Sequence, residues 1–562
     1  MAAEELAAEL LTATLDAEPL TGSIYGFPGY DDLLPDFSEE AEADQVRRLG
    51  SIAGRAEQES RSGLGEFEQQ TLDFVRHLGR GMADAAAIPL IEFTVSDTFV
   101  APVNHILTTL PKLPLQTEER RDGYLARLGA LPDALAVAAD RHEAGSAAGR
   151  TAVARLVEAA ISQLDFLLSD PSVGGIARMD QEEHQTFLAA VETALEAAVR
   201  PALSSYRDRL QATVLPAARD DDHAGICYLP DGDDMYEALV RLHTSMPHSP
   251  DELHALGREI VEQVRVEMIE VGSRLWGTSN LDDIFEHLTN DRTLRYASRE
   301  EMLEHARRTV AAAEAEAPKW FGVVPDEPCM VERVPPAEEA GMPAAYYMPG
   351  AIDGSRKGTY FLNTSKPEER FRHTADVMAF HEAVPGHHFQ LTIALESEDL
   401  STARRVLFDT ACAEGWGLYS ERLADEMGLY TDDLARMGLF AADSWRASRL
   451  VVDTGLHTLG WTRQQAVDWL VTHTPMPRHE MEIEVNRYIS YPGQALAYMV
   501  GRLEITRLRA ESAETLGAQF DLRAFHDLVL RAGSLPLPAM ASTVERWVER
   551  QRMTQRALDG LQ

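Results

Sequence analysis

Apolar residues recur at spacings of three and four along most of this 562-residue chain, with Ala, Glu, Arg and Leu between them. That spacing puts the apolar side chains on one face of an α-helix, and the intervening residues favour helix formation. The segment Ser249-Pro250-Asp251-Glu252 adds a helix start signal, with an N-cap serine, a first-turn proline and a capping-box glutamate. The sequence therefore predicts a mainly α fold, a large multi-helix body. The clearest amphipathic segments are residues 151–168, 181–213, 249–275, 298–319, 432–452 and 541–558.

Signals for β-strands are few, and the clearest lie between residues 331 and 363. Residues 345–348 and 358–363 contain Tyr, Phe and Thr and flank a turn-forming stretch at 353–356. They predict a small β-hairpin or sheet, and residues 331–334 indicate one further strand. This small sheet would lie next to the helix that carries the metal motif described below.

The region around residues 217–234 is rich in Asp, Gly and Pro, which makes it the best internal boundary. We therefore expect an N-terminal helical region, 1–216, and a catalytic region, 217–562, that would hold the metal site discussed below. The two regions could also pack as one continuous helical body, because a chain of this length with 45% hydrophobic residues can bury a large core.

Charge and cysteine content narrow the partners and the compartment. Lys and Arg total 52 and Asp and Glu total 91, and the net charge of −39 argues against nucleic acid or an anionic membrane as a partner. The three cysteines, Cys227, Cys329 and Cys412, are too scattered for a disulfide framework. The first residues lack a basic signal segment, and no uncharged apolar run reaches about 20 residues. These features predict a cytoplasmic protein without a membrane span, and they leave the oligomeric state open.

One eight-residue stretch carries a candidate metal motif, because residues 381–388 read His-Glu-Ala-Val-Pro-Gly-His-His. In the common zinc-hydrolase helix H-E-x-x-H, two histidines four residues apart bind zinc and the glutamate activates a water molecule. Here the fourth residue after His381 is Pro385, which has no metal-binding atom, and the next histidines follow at six and seven residues. Either the histidines cluster by chance, or the chain bends to return one of them to a metal.

Pro385 and Gly386 predict such a bend. Proline removes one helical hydrogen bond and clashes with the preceding turn, and glycine permits almost any backbone angle. In a straight helix His387 would point away from His381, and His388 would share its face but lie about 10.5 Å along the axis. Any ligand pair therefore requires the bend, and this geometry leaves the choice between His387 and His388 open.

A carboxylate ligand is expected on a following helix. Glu414 and Glu421 are seven residues apart, which is two turns on one helix face, and the residues between them include Gly, Trp, Leu and Tyr. Carboxylates in so apolar a stretch need a cation or a hydrogen-bond partner, and a metal ion would be one. A salt-bridged helix face is the alternative interpretation.

Together these two motifs resemble those of the bacterial DUF885 family. The first is His-Glu-x-x-Pro-Gly-His at 381–387, and the second is Glu-Gly-Trp-x-Leu-Tyr-x-Glu at 414–421. The resemblance extends clearly over residues 225–502. The family looks like a divergent gluzincin-type zinc peptidase, similar in pattern to mostly helical enzymes with H-E-x-x-H and a downstream glutamate. The resemblance implies a deep cleft within the helical body and hydrolysis of an amide bond there.

The resemblance also implies roles for individual residues. His381, His387 and Glu414 would bind Zn²⁺ or another divalent transition metal, and Glu382 would be the general base. Residues expected to support the ligands are His388, Glu421 and Asp453. Candidates for donating to the oxyanion are, in order of preference, Tyr498, Tyr491, Arg487 and His457. Strand residues expected to pair with an extended substrate are Gly358, Thr359 and Tyr360.

Several of these residues have a plainer interpretation. Tyrosines and arginines in a turn rich in Gly and Pro often cap helices or pair with acids. Asp453 and His457 lie four residues apart on one helix face, so they could form an ordinary ion pair. These alternatives apply to the oxyanion donors more than to the metal ligands.

Three functions are compatible with the sequence. The leading hypothesis is a zinc-dependent hydrolase of small peptides, and the second is a metal-dependent hydrolase of a non-peptide amide or an amino-acid conjugate. The third is a non-catalytic helical binding or scaffold protein with a vestigial metal site. Glu382 favours catalysis, because a structural metal site needs ligands but no base. The sequence does not indicate which end of a peptide the enzyme would attack.

Overall fold

A computed structural model describes residues 2–170, 173, 184–336, 339 and 343–559. It confirms the mainly α fold predicted from the periodicity. The amphipathic segment predicted at 181–213 is helical from residue 185 onward, and its residues 181–183 lie outside the described residues. The N-terminal helices are α1 (Ala2–Ala17), α2 (Pro19–Tyr25), α3 (Glu39–Gln58), α4 (Glu66–Ala86), α5 (Leu90–Phe93), α6 (Pro102–Thr109), α7 (Glu118–Ala147), α8 (Ala154–Ser169), α9 (Gln185–Ala194), α10 (Arg200–Arg209) and α11 (Leu215–Ala217).

The C-terminal half of the chain is also mostly helical. The start signal at Ser249 is a complete capping box, in which the serine side chain accepts from the backbone N–H of Glu252. These helices are α12 (Gly232–Thr244), α13 (Pro250–Trp276), α14 (Leu281–Asn290), α15 (Arg299–Glu316), α16 (Ala375–Glu382), α17 (His387–Glu396), α18 (Thr402–Val406), α19 (Thr410–Glu426), α20 (Asp433–His457), α21 (Arg463–His473), α22 (Arg478–Ser490), α23 (Ala497–Leu516), α24 (Leu522–Arg531) and α25 (Leu537–Asp559).

A three-stranded sheet precedes α16 and contains β1 (Met330–Arg333), β2 (Ala345–Met348) and β3 (Thr359–Leu362). Strands β2 and β3 form the predicted hairpin, with Ala345 opposite Leu362, and β1 pairs with β3 in parallel. The order is β1-β3-β2, so β3 is the central strand and both of its edges are already paired. The expectation that β3 would pair with an extended substrate is therefore wrong. Among the strands that the structure describes, β1 and β2 are the edge strands, and β2 also contacts α16.

The hydrophobic core crosses the boundary expected near residue 217. Helices α1, α3 and α4 share one core cluster with residues from 226 to 547, and α4 packs against both α12 and α25. A second cluster lies mainly within residues 91–214. In the centre of the larger cluster, α19 packs along α23 and α13 along α20. Helix α19 carries Glu414, and α16 and α17 carry His381 and His387. Among the helices that the structure describes, none is both long and apolar enough to cross a membrane.

Candidate metal centre

The first motif spans the end of one helix and the start of the next. Helix α16 ends at Glu382, residues 383–386 form a turn with a cis peptide bond before Pro385, and α17 begins at His387. A side chain at Gly386 would place its Cβ 1.9 Å from the carbonyl oxygen of His381, so only glycine fits this close return of the chain. The turn brings the imidazole rings of His381 and His387 to a centroid separation of 4.7 Å.

Glu414 on α19 completes a group of three candidate ligands. Its Oε2 atom lies 3.4 Å from Nε2 of His381 and 3.4 Å from Nε2 of His387, and ligand atoms of all three residues fall within 4.8 Å of one another. Two ligands of a tetrahedral zinc at about 2.1 Å are separated by about 3.4 Å, so this spacing suits the ion. Both contacts lack hydrogen-bond geometry, and the buried Oε2 has no donor among the described residues. The donor set and its unmet acceptor therefore fit a bound divalent metal.

Glu421 fixes the orientation of His381 by binding the ring nitrogen that does not face Glu414. Its Oε1 atom lies 2.8 Å from Nδ1 of His381, and Arg446 approaches the same oxygen at 3.5 Å. A carboxylate that accepts from Nδ1–H leaves the Nε2 lone pair free to bind a metal. Burial lowers the pKa of His381, but the nearby carboxylates of Glu414 and Glu421 outweigh it and raise the pKa to about 9. A cation at the ligand group would replace that proton.

The residues after Glu414 anchor the turn and make room for the imidazole. The indole N–H of Trp416 donates to the carbonyl oxygen of Pro385 at 2.8 Å, which ties the turn to α19. A Cβ at Gly417 would lie 2.6 Å from Cε1 of His381, so this position must be glycine for His381 to pack there. Neither role was predicted from the sequence, because both depend on how α16 and α19 approach each other.

Glu382 follows His381 in sequence and is the last residue of α16. Its side chain is half-buried, and among the residues that the structure describes none donates a hydrogen bond to its carboxylate. It lies close to Tyr360, since burial and the Glu382 carboxylate together raise the pKa of that tyrosine well above its ordinary value. A carboxylate without a donor in the described part of the chain is free to accept a proton.

His388 faces away from the ligand group. Its Nε2 lies 3.0 Å from the backbone oxygen of Glu327, and its Nδ1 lies 3.1 Å from the hydroxyl of Tyr347 on β2. Burial lowers its pKa to about 4, so the ring is neutral. The ligand group thus contains His387, and the expected supporting role of His388 at the metal is wrong, since His388 connects α17 to the sheet.

Comparison with known proteins places the chain in a family. A family model described as "Bacterial protein of unknown function (DUF885)" matches residues 19–544. The chain belongs to the DUF885 family. A comparison with curated proteins gives no match.

Two solved structures resemble this DUF885 protein over nearly its whole length. One is a "putative lipoprotein" from Colwellia psychrerythraea, 26% identical, with a TM-score of 0.90, covering 98% of this chain and 100% of its own. The other is a "putative lipoprotein of unknown function" from Shewanella oneidensis, 19% identical, with a TM-score of 0.73, covering 96% of this chain and 98% of its own. The second likeness shows the fold alone.

Three of the expected oxyanion donors of this DUF885 protein lie on or beside α22 and α23. The ring of Tyr498 stacks near His381 at a centroid distance of 6.2 Å, and Arg487 lies beside it. The ring of Tyr491 packs edge-on against His243, and burial raises its pKa to about 12. Tyr498 thus contacts the ring of a metal ligand, and Tyr491 lies close enough to the ligand Glu414 for that carboxylate to add to the rise in its pKa.

The fourth candidate, His457, and Asp453 have structural roles. Both ring nitrogens of His457 are used, since Nδ1 accepts from the backbone N–H of Ile226 and Nε2 donates to the backbone oxygen of Tyr488. Burial lowers the pKa of His457 to about 3. Asp453 accepts from the hydroxyl of Tyr236 and forms no ion pair with His457. The oxyanion role of His457 and the support of metal ligands by Asp453 are wrong, because these side chains link the end of α20 to neighbouring loops and helices.

The strand residues expected to bind substrate are also occupied within the protein. A Cβ at Gly358 would lie 2.1 Å from the hydroxyl of Tyr347, so this glycine leaves room for a tyrosine of the neighbouring strand. Thr359 and Tyr360 are buried, at 6% and 1% exposure. Their positions argue against direct contact of all three with a substrate.

Proposed function

We propose that this DUF885 protein is a metal-dependent hydrolase of amide bonds and that small peptides are its substrates. The observation that carries the proposal is the convergence of His381, His387 and Glu414 within 4.8 Å. The residue after His381 is Glu382, whose carboxylate has no hydrogen-bond donor among the residues that the structure describes. Two imidazoles and one carboxylate, with a free glutamate, form the set of groups needed to bind zinc and activate water.

The chain's own residues supply binding and proton transfer. Zn²⁺ held by His381, His387 and Glu414 would lower the pKa of water and polarise a substrate carbonyl. Glu382 accepts the proton of the attacking water and passes it to the leaving amine. The Tyr498 hydroxyl is the preferred donor to the developing oxyanion, on the strength of its position next to His381.

Two alternatives make different predictions. A hydrolase of a non-peptide amide or an amino-acid conjugate would use the same groups, so only its substrates would differ. A scaffold protein with a structural zinc site would close the site with a fourth protein ligand. Among the residues described, the ligand group has three members, which favours an open position for a substrate or water. Another divalent transition metal would satisfy the same ligands.

The cellular compartment is a separate question. The cytoplasmic location stays a prediction from the sequence. The similar protein from Colwellia psychrerythraea is described as a putative lipoprotein, which supports the competing proposal that this protein is anchored at a membrane. Fractionation of the native host, followed by immunodetection of the protein, would distinguish the two.

A peptide-library digest tests the hydrolase directly. Purified protein loaded with zinc is incubated with peptides of mixed length, and the products are read by mass spectrometry with and without a chelator. We expect cleavage that the chelator abolishes and that added zinc restores. Cleavage that persists in chelator would contradict a metal mechanism, and metal-restored hydrolysis of amino-acid conjugates without any peptide cleavage would support the second alternative.

A further inference from the structure

A group of arginines lies beside the metal centre in a chain whose net charge is −39. Arg446 and Arg449 project from α20, and Arg487 projects from α22. All three are held against aromatic rings, and the guanidinium carbon of Arg449 lies 4.5 Å from the ring centre of Tyr498. So ordered a cationic group in an acidic protein indicates a site for an anion.

The acidic partners of these arginines are too few to neutralise them. Arg449 and Arg487 both direct Nη2 to the same oxygen of Glu484, each at 3.2 Å. Arg446 approaches Glu421 at 3.5 Å, and that carboxylate already binds His381. Each guanidinium also keeps a buried nitrogen without an acceptor among the described residues. Three positive charges therefore share two carboxylates, and a further anion would reduce the cost of burying them.

Position relates this group to the proposed chemistry. The ring of Tyr498 is near both groups, since its centre lies 4.5 Å from the guanidinium carbon of Arg449 and 6.2 Å from the ring centre of His381. The side chain of Arg487 is 17% exposed, close to the 20% of Glu414, whereas that of Arg449 is only 4% exposed. Arg446 is 10% exposed, so Arg487 is the most accessible of the three arginines to a ligand from solvent.

We infer that Arg487 binds the free α-carboxylate of the substrate and that the enzyme removes residues from the carboxyl end of peptides. Guanidinium and carboxylate groups match in planar, bidentate geometry, and Glu484 and Tyr498 hold Arg487 in place for this contact. One residue of an extended peptide spans about 3.3–3.6 Å. A substrate whose carboxylate binds Arg487 while its cleaved bond lies at the metal would therefore have one or two residues between that bond and its carboxyl end. This inference rests on the proposed amide hydrolysis.

The test compares two peptides that differ only in ending in a free acid or an amide. We expect wild-type protein to cleave the acid with kcat/KM about 100-fold higher and to release single residues or dipeptides from its carboxyl end. Arg487→Gln should lose about 100-fold more activity on the acid than on the amide, so that the preference for the acid disappears. If Arg487 instead stabilised the oxyanion, the variant would lose activity on both peptides equally, and that result would overturn the inference.

Controls separate folding from recognition. Arg487→Lys keeps the positive charge and should retain part of the preference for the acid, and the exposed Arg274→Gln, whose wild-type side chain pairs with Asp433, should retain all of it. The comparison of acid and amide on wild-type protein needs no variant, so it holds even if Arg487→Gln does not fold. Equal cleavage of the two peptides would reject the carboxylate contact and leave the hydrolase intact.

A binding measurement separates failure of the inference from failure of the proposed function. Calorimetric titration of zinc-loaded Glu382→Gln with both peptides reports recognition without turnover. Tighter binding of the acid, by about tenfold or more, supports the contact even if no peptide is cleaved, in which case only the hydrolase proposal fails. Equal affinities for acid and amide would overturn the inference whatever the activity.

Discussion

Nδ1 of His381 lies 2.8 Å from Oε1 of Glu421, a carboxylate with no exposure to solvent. The pair links α16 to α19 and turns the opposite ring nitrogen toward Glu414. A buried carboxylate that binds a ligand histidine sets both the tautomer and the position of the ring. Residues that never touch a metal thus determine whether the three ligand atoms converge.

Glu421→Gln tests this dependence. The variant keeps the size of the side chain but removes the charge that balances His381 and Arg446, so metal affinity should fall by about 10- to 100-fold. Competition with a chromophoric chelator measures it. The matched control is Glu426→Gln on the same helix, where the carboxylate pairs with Arg509 at the surface. Equal affinity in the two variants would show that Glu421 does not position the ligand.

His387→Ala and His388→Ala should have opposite consequences. Loss of His387 removes a proposed ligand, so metal affinity should fall at least about 100-fold while the metal-free protein keeps its stability. Loss of His388 removes a buried ring and its contacts with Glu327 and Tyr347, which should lower the free energy of unfolding by about 2–4 kcal/mol. Metal titration and urea denaturation of both variants measure these changes. A loss of metal affinity in His388→Ala but not in His387→Ala would assign the ligand to His388.

Gly417→Ala should disturb the centre through packing alone. The added methyl would lie 2.6 Å from Cε1 of His381, so the ring must move, with a cost of about 1–3 kcal/mol in unfolding free energy and weaker metal binding. Gly129→Ala, in the middle of α7 where nothing lies within 4 Å, should instead be neutral or stabilise by about 0.5–1 kcal/mol. Thermal denaturation and metal titration measure the stability and metal affinity of both variants. Equal stability and equal metal affinity in the two variants would show that Gly417 does not make room for His381.

Acid should destabilise the metal-free protein. Burial lowers the pKa of several histidines from 6.5 to about 3–4 in the folded state, so the unfolded chain takes up their protons first. Their contribution to stability is complete above pH 6.5 and is lost as the pH falls toward 4. These histidines are His142, His243, His373, His388, His457 and His526.

Two buried acids act in the opposite direction. Burial raises the pKa of Asp409 and Asp453 to about 7, so their contribution is present below their unfolded value near 3.8 and is lost as the pH rises through 7. The six histidines outweigh them, and the free energy of unfolding should fall by about 2 kcal/mol or more between pH 7 and pH 5. Urea denaturation in chelator at both pH values measures the change, and equal or greater stability at pH 5 would contradict the assignment.

The sequence predicted the elements of this fold better than their contacts. Helical periodicity, the hairpin before α16 and the break at Pro385 follow from local rules, and the structure shows all of them. The choice of His387 over His388 depends on a turn held by Trp416, 31 residues away in sequence. Local geometry could not include that contact, so it left the alternatives open.

Other errors have the same long-range origin. His457 looked available for chemistry because its sequence neighbours do not reveal the two backbone groups that occupy its ring. Strand β3 was expected to pair with a substrate, but β1 pairs with its second side. The pairing is hard to predict because 25 residues of chain separate β1 from β3. In both cases, groups distant in sequence bind the residues that the sequence alone had left free for a substrate.

In the mechanism that we propose, His381, His387 and Glu414 hold a metal for hydrolysis assisted by Glu382. Its most direct test measures bound zinc and peptide cleavage on the same preparations of wild-type protein and Glu382→Gln. We expect one equivalent of zinc in both proteins and a loss of cleavage of about 100-fold or more in the variant. Wild-type protein that binds no divalent metal, or a variant that cleaves as fast as wild type, would contradict it.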